Sequence, residues 1–488
     1  MRQRWFGRRR FWMAALALAV CGCPGTPPER TETQDAPAAV PLRLIVVDDI
    51  ELGKAIQQQW KARAEGELEI RHLSSQEIWD PDRKRLAGDA VIYPSGLLGD
   101  LAERGWIAPL SDEALGSPEL ARRDIFDHLR QREIVWGDQV FAVPLGSPPL
   151  MLIYRPDVFE KLELKPPETW QQYAALCERL SKSRDLWMDS QDRPAAWRGV
   201  AEPLGPGWAS QVLLARAAGY ARHRSYFATL FELPSMDPLI ASPPFVKALE
   251  ELVAAASHGG PDSSQLAPKD VWRLLRSGQC AMGLTWPTSA EDSAVAEPTA
   301  SSLPVQLAAA KLPASREAYH VGDRQWQARE ATETGHVTLL GVSGRLGSLV
   351  KGSARASAAT GLLVRLSGAE WSRDVSPRSP ATTLYRSSQI PAAKAWVGES
   401  FSAEAAAAYA ELVQQSLRQT LTVDSIRLPG RVRYLEALDQ AVYTALQGAR
   451  PPAECLAEAA DQWRKITDEL GIEDQRRAYW RSLGKKAP

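Results

Sequence analysis

At 488 residues the chain is longer than a single hydrophobic core accommodates, which calls for two lobes or domains. Apolar content of 44% and charged content of 24% are ordinary for a soluble globular protein and exclude a disordered or fibrous chain. The formal net charge of −1 becomes −6 once the five arginines of the first ten residues are set aside, and no basic patch elsewhere argues for a nucleic-acid partner.

Those arginines (Arg2, Arg4, Arg8, Arg9 and Arg10) precede the apolar run Phe11 to Val20, which is too short to span a bilayer. Residues 1–22 therefore read as an export signal. Val20-Cys21-Gly22-Cys23 resembles a lipoprotein processing site, and the resemblance implies lipidation at Cys23, which follows the small Gly22. Residues 23–41, rich in Pro, Thr, Glu and Ala, have little to bury and are expected to form a flexible tether.

Leu42 to Val47 is a short β-branched strand ending at Asp48-Asp49, and a helix pattern follows from Glu51 to Ala64. Leu68 to His72 and Asp89 to Tyr93 are further strands, the last turned by Pro94-Ser95-Gly96 into a helix ending near Gly105. Strands alternating with helices mean a parallel sheet, whose ligands sit beyond the carboxyl ends of the strands. Asp48, Asp49, Tyr93 and Ser95 occupy those ends and become candidate ligand-binding residues.

Trp136-Gly137-Asp138-Gln139 offers hairpin chemistry between apolar runs. The chain bends at Val143-Pro144-Leu145-Gly146 and starts a new strand at Leu150. Thr169 is placed to cap a helix starting at Trp170, with Gln172 reaching back to the cap. Trp197 to Ala201 and Cys280 to Leu284 read as strands. The segments from Ala209, Pro243, Lys269, Ala354, Ser402, Arg431 and Ala453 read as helices. Residues 288–335 are polar and poorly periodic, and loop is expected over most of that span.

Several of these stretches together resemble the extracellular solute-binding proteins of ABC importers, family 1, the maltose-binding-protein-like class. Leu101-Ala102-Glu103-Arg104-Gly105-Trp106-Ile107-Ala108-Pro109-Leu110 matches that family's first-lobe turn. Val143 to Gly146, Leu150 to Tyr154, Asp157 to Phe159 and Pro166 to Trp170 match its first crossover between lobes. The resemblance implies an α/β, two-lobed periplasmic-binding-protein fold with a ligand cleft between lobes and several hinge crossovers. It divides the chain into lobe 1 over 42–144 and 339–418 and lobe 2 over 145–338 and 419–488. Gly146 and Ser147 at the first crossover, and Arg431 and Tyr434 in the family's pocket loop, join the candidate ligand-binding residues. The implied partners are a small solute, an ABC permease and, through the N-terminal lipid, a membrane. The implied location is the periplasm or cell surface, and the implied state a monomer.

Trp is abundant at 17 residues, so most are expected to fill the core. Trp208 and Trp286 lie in Pro/Gly turns at element ends instead. Their indole faces suit the CH faces of sugar rings, which makes a carbohydrate the expected solute. Trp106, Trp170 and Trp272 read as packing.

No HExxH, P-loop, dinucleotide fingerprint or G-x-S-x-G is present, so no catalytic residue, metal or cofactor is expected. Beyond the signal, Cys177, Cys280 and Cys455 show no metal spacing; Cys177 and Cys280 lie in apolar contexts and read as buried free thiols. Two alternatives stay open: an exported polysaccharide hydrolase, and a sensing module without a transport partner.

Overall fold

The computed structural model describes residues 41–486 apart from 64–65, 80–82, 184–185, 187–196, 287–304, 331–332 and 419–420. The export segment, Cys23 and the tether up to Val40 lie outside the described residues.

β1 (Leu42–Val47) runs Leu44-Ile45-Val46-Val47 with every side chain buried, as a strand covered on both faces must. β2 (Leu68–Leu73) and β3 (Ala90–Pro94) flank it in parallel. The helix Ile50–Arg63 makes the crossover between β1 and β2. β4 (Ile107–Ala108) follows, then β5 (Val135–Trp136) and β6 (Gln139–Val140), an antiparallel hairpin turned at Gly137, whose φ is +65°. β7 (Val143–Gly146) ends the first pass through this sheet.

The chain then leaves through Ser147 to Leu150 and enters a second sheet at β8 (Met151–Tyr154), joined by β9 (Arg198–Ala201), β10 (Cys280–Thr285) and β11 (Ala308–Ala310) in the order β11-β8-β10-β9. β12 (Glu317–His320) and β13 (Gln325–Ala328) form a separate hairpin. β14 (Thr338–Leu340) carries the chain back, and β15 (Arg345–Val350) inserts antiparallel between β3 and β4, also pairing with β7. β16 (Thr422–Asp424) pairs in parallel with β14. The first sheet is thus ordered β2-β1-β3-β15-β4 with β7 against β15. Two sheets joined by three returning segments make a two-lobed α/β fold with a cleft between them.

Local signals set several elements. Thr169 accepts from the Gln172 amide while Gln172 accepts from the Thr169 amide, a complete capping box at the start of Trp170–Lys182. The helix Ala209–Ala221 is buried at every residue, and its alanines let the helices Pro243–Ala256 and Arg431–Leu446 close around it. Cys177, Cys280 and Cys455 are buried free thiols. Trp106, Trp170 and Trp272 are buried too, and Arg104 stacks over the Trp106 ring.

Within 288–335, where loop is expected over most of the span, β11, β12 and β13 are short strands among the described residues. Ala308-Ala309-Ala310 has little strand preference of its own. It is held extended by pairing with Leu152 to Tyr154 of β8, a partner that local sequence does not announce.

Candidate functional site between the two sheets

The carboxyl ends of β1 and β3 do carry the polar residues expected there, but the protein uses several of them internally. Asp49 is 4% exposed and caps the first helix by accepting from the Leu52 amide at 3.0 Å. Its other oxygen accepts from Arg345 Nε at 2.8 Å and Ser379 Oγ at 2.5 Å. Asp48 adopts a left-handed backbone, φ +52°, and its carboxylate accepts from the Ser75 amide at 3.0 Å, while its carbonyl accepts from Arg345 Nη2 at 2.9 Å. Tyr93 is fully buried, with its hydroxyl 2.7 Å from Ser348 Oγ. Asp48, Asp49 and Tyr93 thus have their side-chain partners within lobe-one elements.

Tyr434 departs furthest from its expected role. The helix Arg431–Leu446 turns it inward, where its hydroxyl meets Thr467 Oγ1 at 2.9 Å and its ring packs edge-on against Phe231 and Trp463. It is a core residue, while Arg431 begins the same helix.

Arg431 lies against Gly96: a Cβ on that glycine would sit 2.5 Å from Arg431 Nε, so a larger residue there would displace the guanidinium. Burial is the larger influence and pulls its pKa down to about 10, while two carboxylates oppose this, Asp100 on the helix Leu98–Glu103 and Asp439 on Arg431's own helix. Asp100 accepts from the Gly430 amide at 3.3 Å, and burial pushes its carboxyl up to about 7. Asp439 accepts from the amides of Gly207 and Ser210 at 2.8 and 2.7 Å, which anchors the loop before Trp208. Burial raises the Asp439 pKa as well.

Trp208 and Trp286, expected as a pair of turn aromatics, do meet. Their ring centroids are 5.1 Å apart at 43°, at the carboxyl end of β10. Trp286 is 2% exposed, its carbonyl accepts from Trp272 Nε1 at 3.0 Å, and its own Nε1 has no partner among the described residues. Trp208 is half-buried.

A second cluster gathers at the crossovers. The Ser95 amide donates to the Gly344 carbonyl at 2.7 Å, and Ser147 Oγ donates to Glu133 Oε1 at 2.7 Å. The Ser95 and Glu133 side chains are both buried, and the Ser95 hydroxyl faces the Glu133 carboxyl. Gly146, at φ +125°, passes so near the Thr383 carbonyl that a Cβ would approach it to 2.6 Å.

Ser147 and Glu133 thus meet at the first crossover, and Arg431, Asp100 and Asp439 form a buried charge cluster joined to the loop of Trp208. Asp100, Glu133 and Asp439 sit inside helical segments, where no turn chemistry marks them. A groove of about 800 Å³ between Pro166–Thr169 and Lys311–Arg316 is lined by none of these residues. Among the described residues, no three His, Cys, Asp or Glu could hold a metal, and no helix is long and apolar enough to cross a membrane.

The profile of a family described as bacterial extracellular solute-binding protein matches residues 86–344. Solved structures share the fold. An ABC transporter solute-binding protein of Agrobacterium radiobacter K84 in complex with ribitol is 18% identical with a TM-score of 0.64, covering 88% of this chain and 98% of its own. The maltose-bound MalE3 of T. maritima is 14% identical with a TM-score of 0.64, covering 87% and 100%. A solute-binding protein of Agrobacterium vitis S4 with bound D-mannitol is 18% identical with a TM-score of 0.61, covering 88% and 99%.

Proposed function

The chain belongs to the bacterial extracellular solute-binding proteins, and from that premise we propose that it captures a neutral sugar or polyol between its lobes and delivers it to an ABC permease. Membership makes it a binding protein and removes the hydrolase alternative. The observation that carries the choice of solute is the Trp208–Trp286 pair, an aromatic platform whose loop is held by Asp439. Apolar sugar faces stack on indoles while hydroxyls bond the polar groups around them. Contacts from both lobes then favour the closed arrangement that a permease recognises.

In this reading lobe 1 comprises 42–144 and 339–418, lobe 2 comprises 145–338 and 419–488, and the protein acts as a monomer at the periplasmic face or cell surface. Thermal-shift measurements against D-mannitol, ribitol, maltose and a wider sugar and polyol library test it, since a ligand of the native state raises the melting temperature. With the best ligand in hand, Trp208→Ala should weaken binding by about 1 kcal/mol or more while leaving the apo melt unchanged. Unaltered affinity in that variant would move the site elsewhere and take the sugar reading with it.

The anchoring reading rests on Val20-Cys21-Gly22-Cys23. Cys23→Ser is expected to be exported yet extractable without detergent. Retention in the membrane fraction would rule out lipidation at Cys23.

A further inference from the structure

Glu133 ends a π-helical turn, Leu129–Glu133, a rare conformation that is enriched at functional positions. It is fully buried. Its Oε1 accepts from Ser147 Oγ at 2.7 Å on the first crossover, and from the Gly341 amide at 3.4 Å at the start of the second. Its carbonyl accepts from Arg427 Nη1 at 3.0 Å, and Arg427 lies just beyond β16. Arg427 continues to Asp424 at 3.3 Å and to the Ser482 carbonyl at 2.6 Å. The first two crossovers pass so closely that a Cβ on Gly344 would lie 1.6 Å from Ser147 Oγ.

We infer that Glu133 is a positioning residue for lobe closure: its buried side chain ties the segment at Ser147 to the segment after β14, and its backbone carbonyl holds Arg427 after β16. The inference rests on the hinge mechanism proposed above and adds its control. The groups facing the carboxyl are Ser147, Ser95, Arg427 and Asp424. Burial is the largest influence and raises its pKa, Asp424 adds to this, and Ser147, Ser95 and Arg427 oppose it. The protonated side chain therefore fits the tied arrangement. Separating the crossovers admits water and favours the carboxylate.

The sign of the linkage follows. A carboxyl raised in the folded state contributes stability that is fully present below its ordinary value of 4.5 and is lost as pH rises through the folded value. Rising pH should loosen the hinge, and falling pH should tighten it.

Small-angle scattering and thermal melts of the full chain, without solute, between roughly pH 5 and pH 8 test this. The wild type should expand and melt lower as pH rises. Glu133→Gln, which retains an oxygen acceptor for Ser147 and Gly341 without the charge, should stay compact with a flatter profile. Glu133→Leu, which loses both bonds, should be expanded throughout. Asp100→Asn serves as the control, because Asp100 titrates near about 7 in the same window.

A Glu133→Gln profile that follows the wild type, or a Glu133→Leu protein as compact as the wild type, overturns the inference. Scattering repeated with D-mannitol and maltose separates the two failures. If the radius responds to solute identically in all Glu133 variants, only the role of Glu133 falls. If solute raises the melting temperature but changes no radius, the hinge mechanism falls as well.

Discussion

Arg216→Met is expected to cost about 3–5 kcal/mol of stability, the largest loss of any single change considered, because it strands a charge in the core of the second lobe. The Arg216 side chain is 1% exposed and its Nη2 donates to both oxygens of Glu202, at 2.8 and 2.9 Å. Its guanidinium lies 4.1 Å over the Trp170 ring, and the Tyr173 hydroxyl donates to Glu202 at 2.7 Å. Methionine fills much of the volume and keeps the contact with the indole, so what is lost is the countercharge. Glu202 follows β9 directly and leads into the loop that carries Trp208, so solute affinity should fall along with stability. The double variant Arg216→Met with Glu202→Leu should recover a large part of the loss, since it leaves no buried charge unpaired and only the Tyr173 hydroxyl loses its acceptor. Chemical denaturation of the two variants beside the wild type gives the answer; a single-variant loss below about 1 kcal/mol would mean that water reaches Glu202.

Arg345→Met should cost somewhat less, about 3 kcal/mol, and disturb the other side of the cleft. Arg345 is 5% exposed and spreads three bonds, to Asp49 Oδ2, the Asp48 carbonyl and the Ser343 carbonyl. Removing it leaves Asp49 buried with the Leu52 amide and Ser379 for company, which softens the penalty. The distinguishing variant is Arg345→Lys. A lysine keeps the charge, yet its compact ammonium cannot span three acceptors held by a planar fork, so less than half of the stability should return. Full recovery in Arg345→Lys would show that charge alone matters at this position. Comparing melts of both variants with and without solute tells whether the β1 end also shapes the site.

How much of this was readable in the residues depends on the range of each interaction. The Thr169–Gln172 box and the hairpin at Gly137 are local, and both stand where the sequence pattern puts them. β11 is invisible in Ala308-Ala309-Ala310 because its extended form is imposed by β8, more than a hundred residues earlier. The same holds within the site. Ser95, Ser147 and Arg431 lie at element ends, where turn chemistry exposes them to inspection. Glu133, Asp100 and Asp439 lie in helical stretches, and only the packing of distant segments buries them. Asp49 looks like a free strand-end carboxylate until Arg345, 296 residues later, is seen to claim it. Tyr434 shows the opposite error: a loop position one turn into a helix points to the core.

The place of β15 has a consequence for how the molecule comes to be folded. It sits between β3 and β4, and Tyr93 waits for a hydroxyl 255 residues further along the chain. Until that strand is synthesised the first sheet has a gap in its middle, with backbone donors and acceptors unpaired on both sides. Closing so long a loop is slow compared with forming helices, so the emerging chain should remain without a finished first lobe through most of its synthesis. A polypeptide that cannot complete its fold early stays threadable, which is the condition a protein must meet to cross a membrane before it folds, and it is also the stage at which an uncovered β3 edge is most exposed to pairing with the wrong chain.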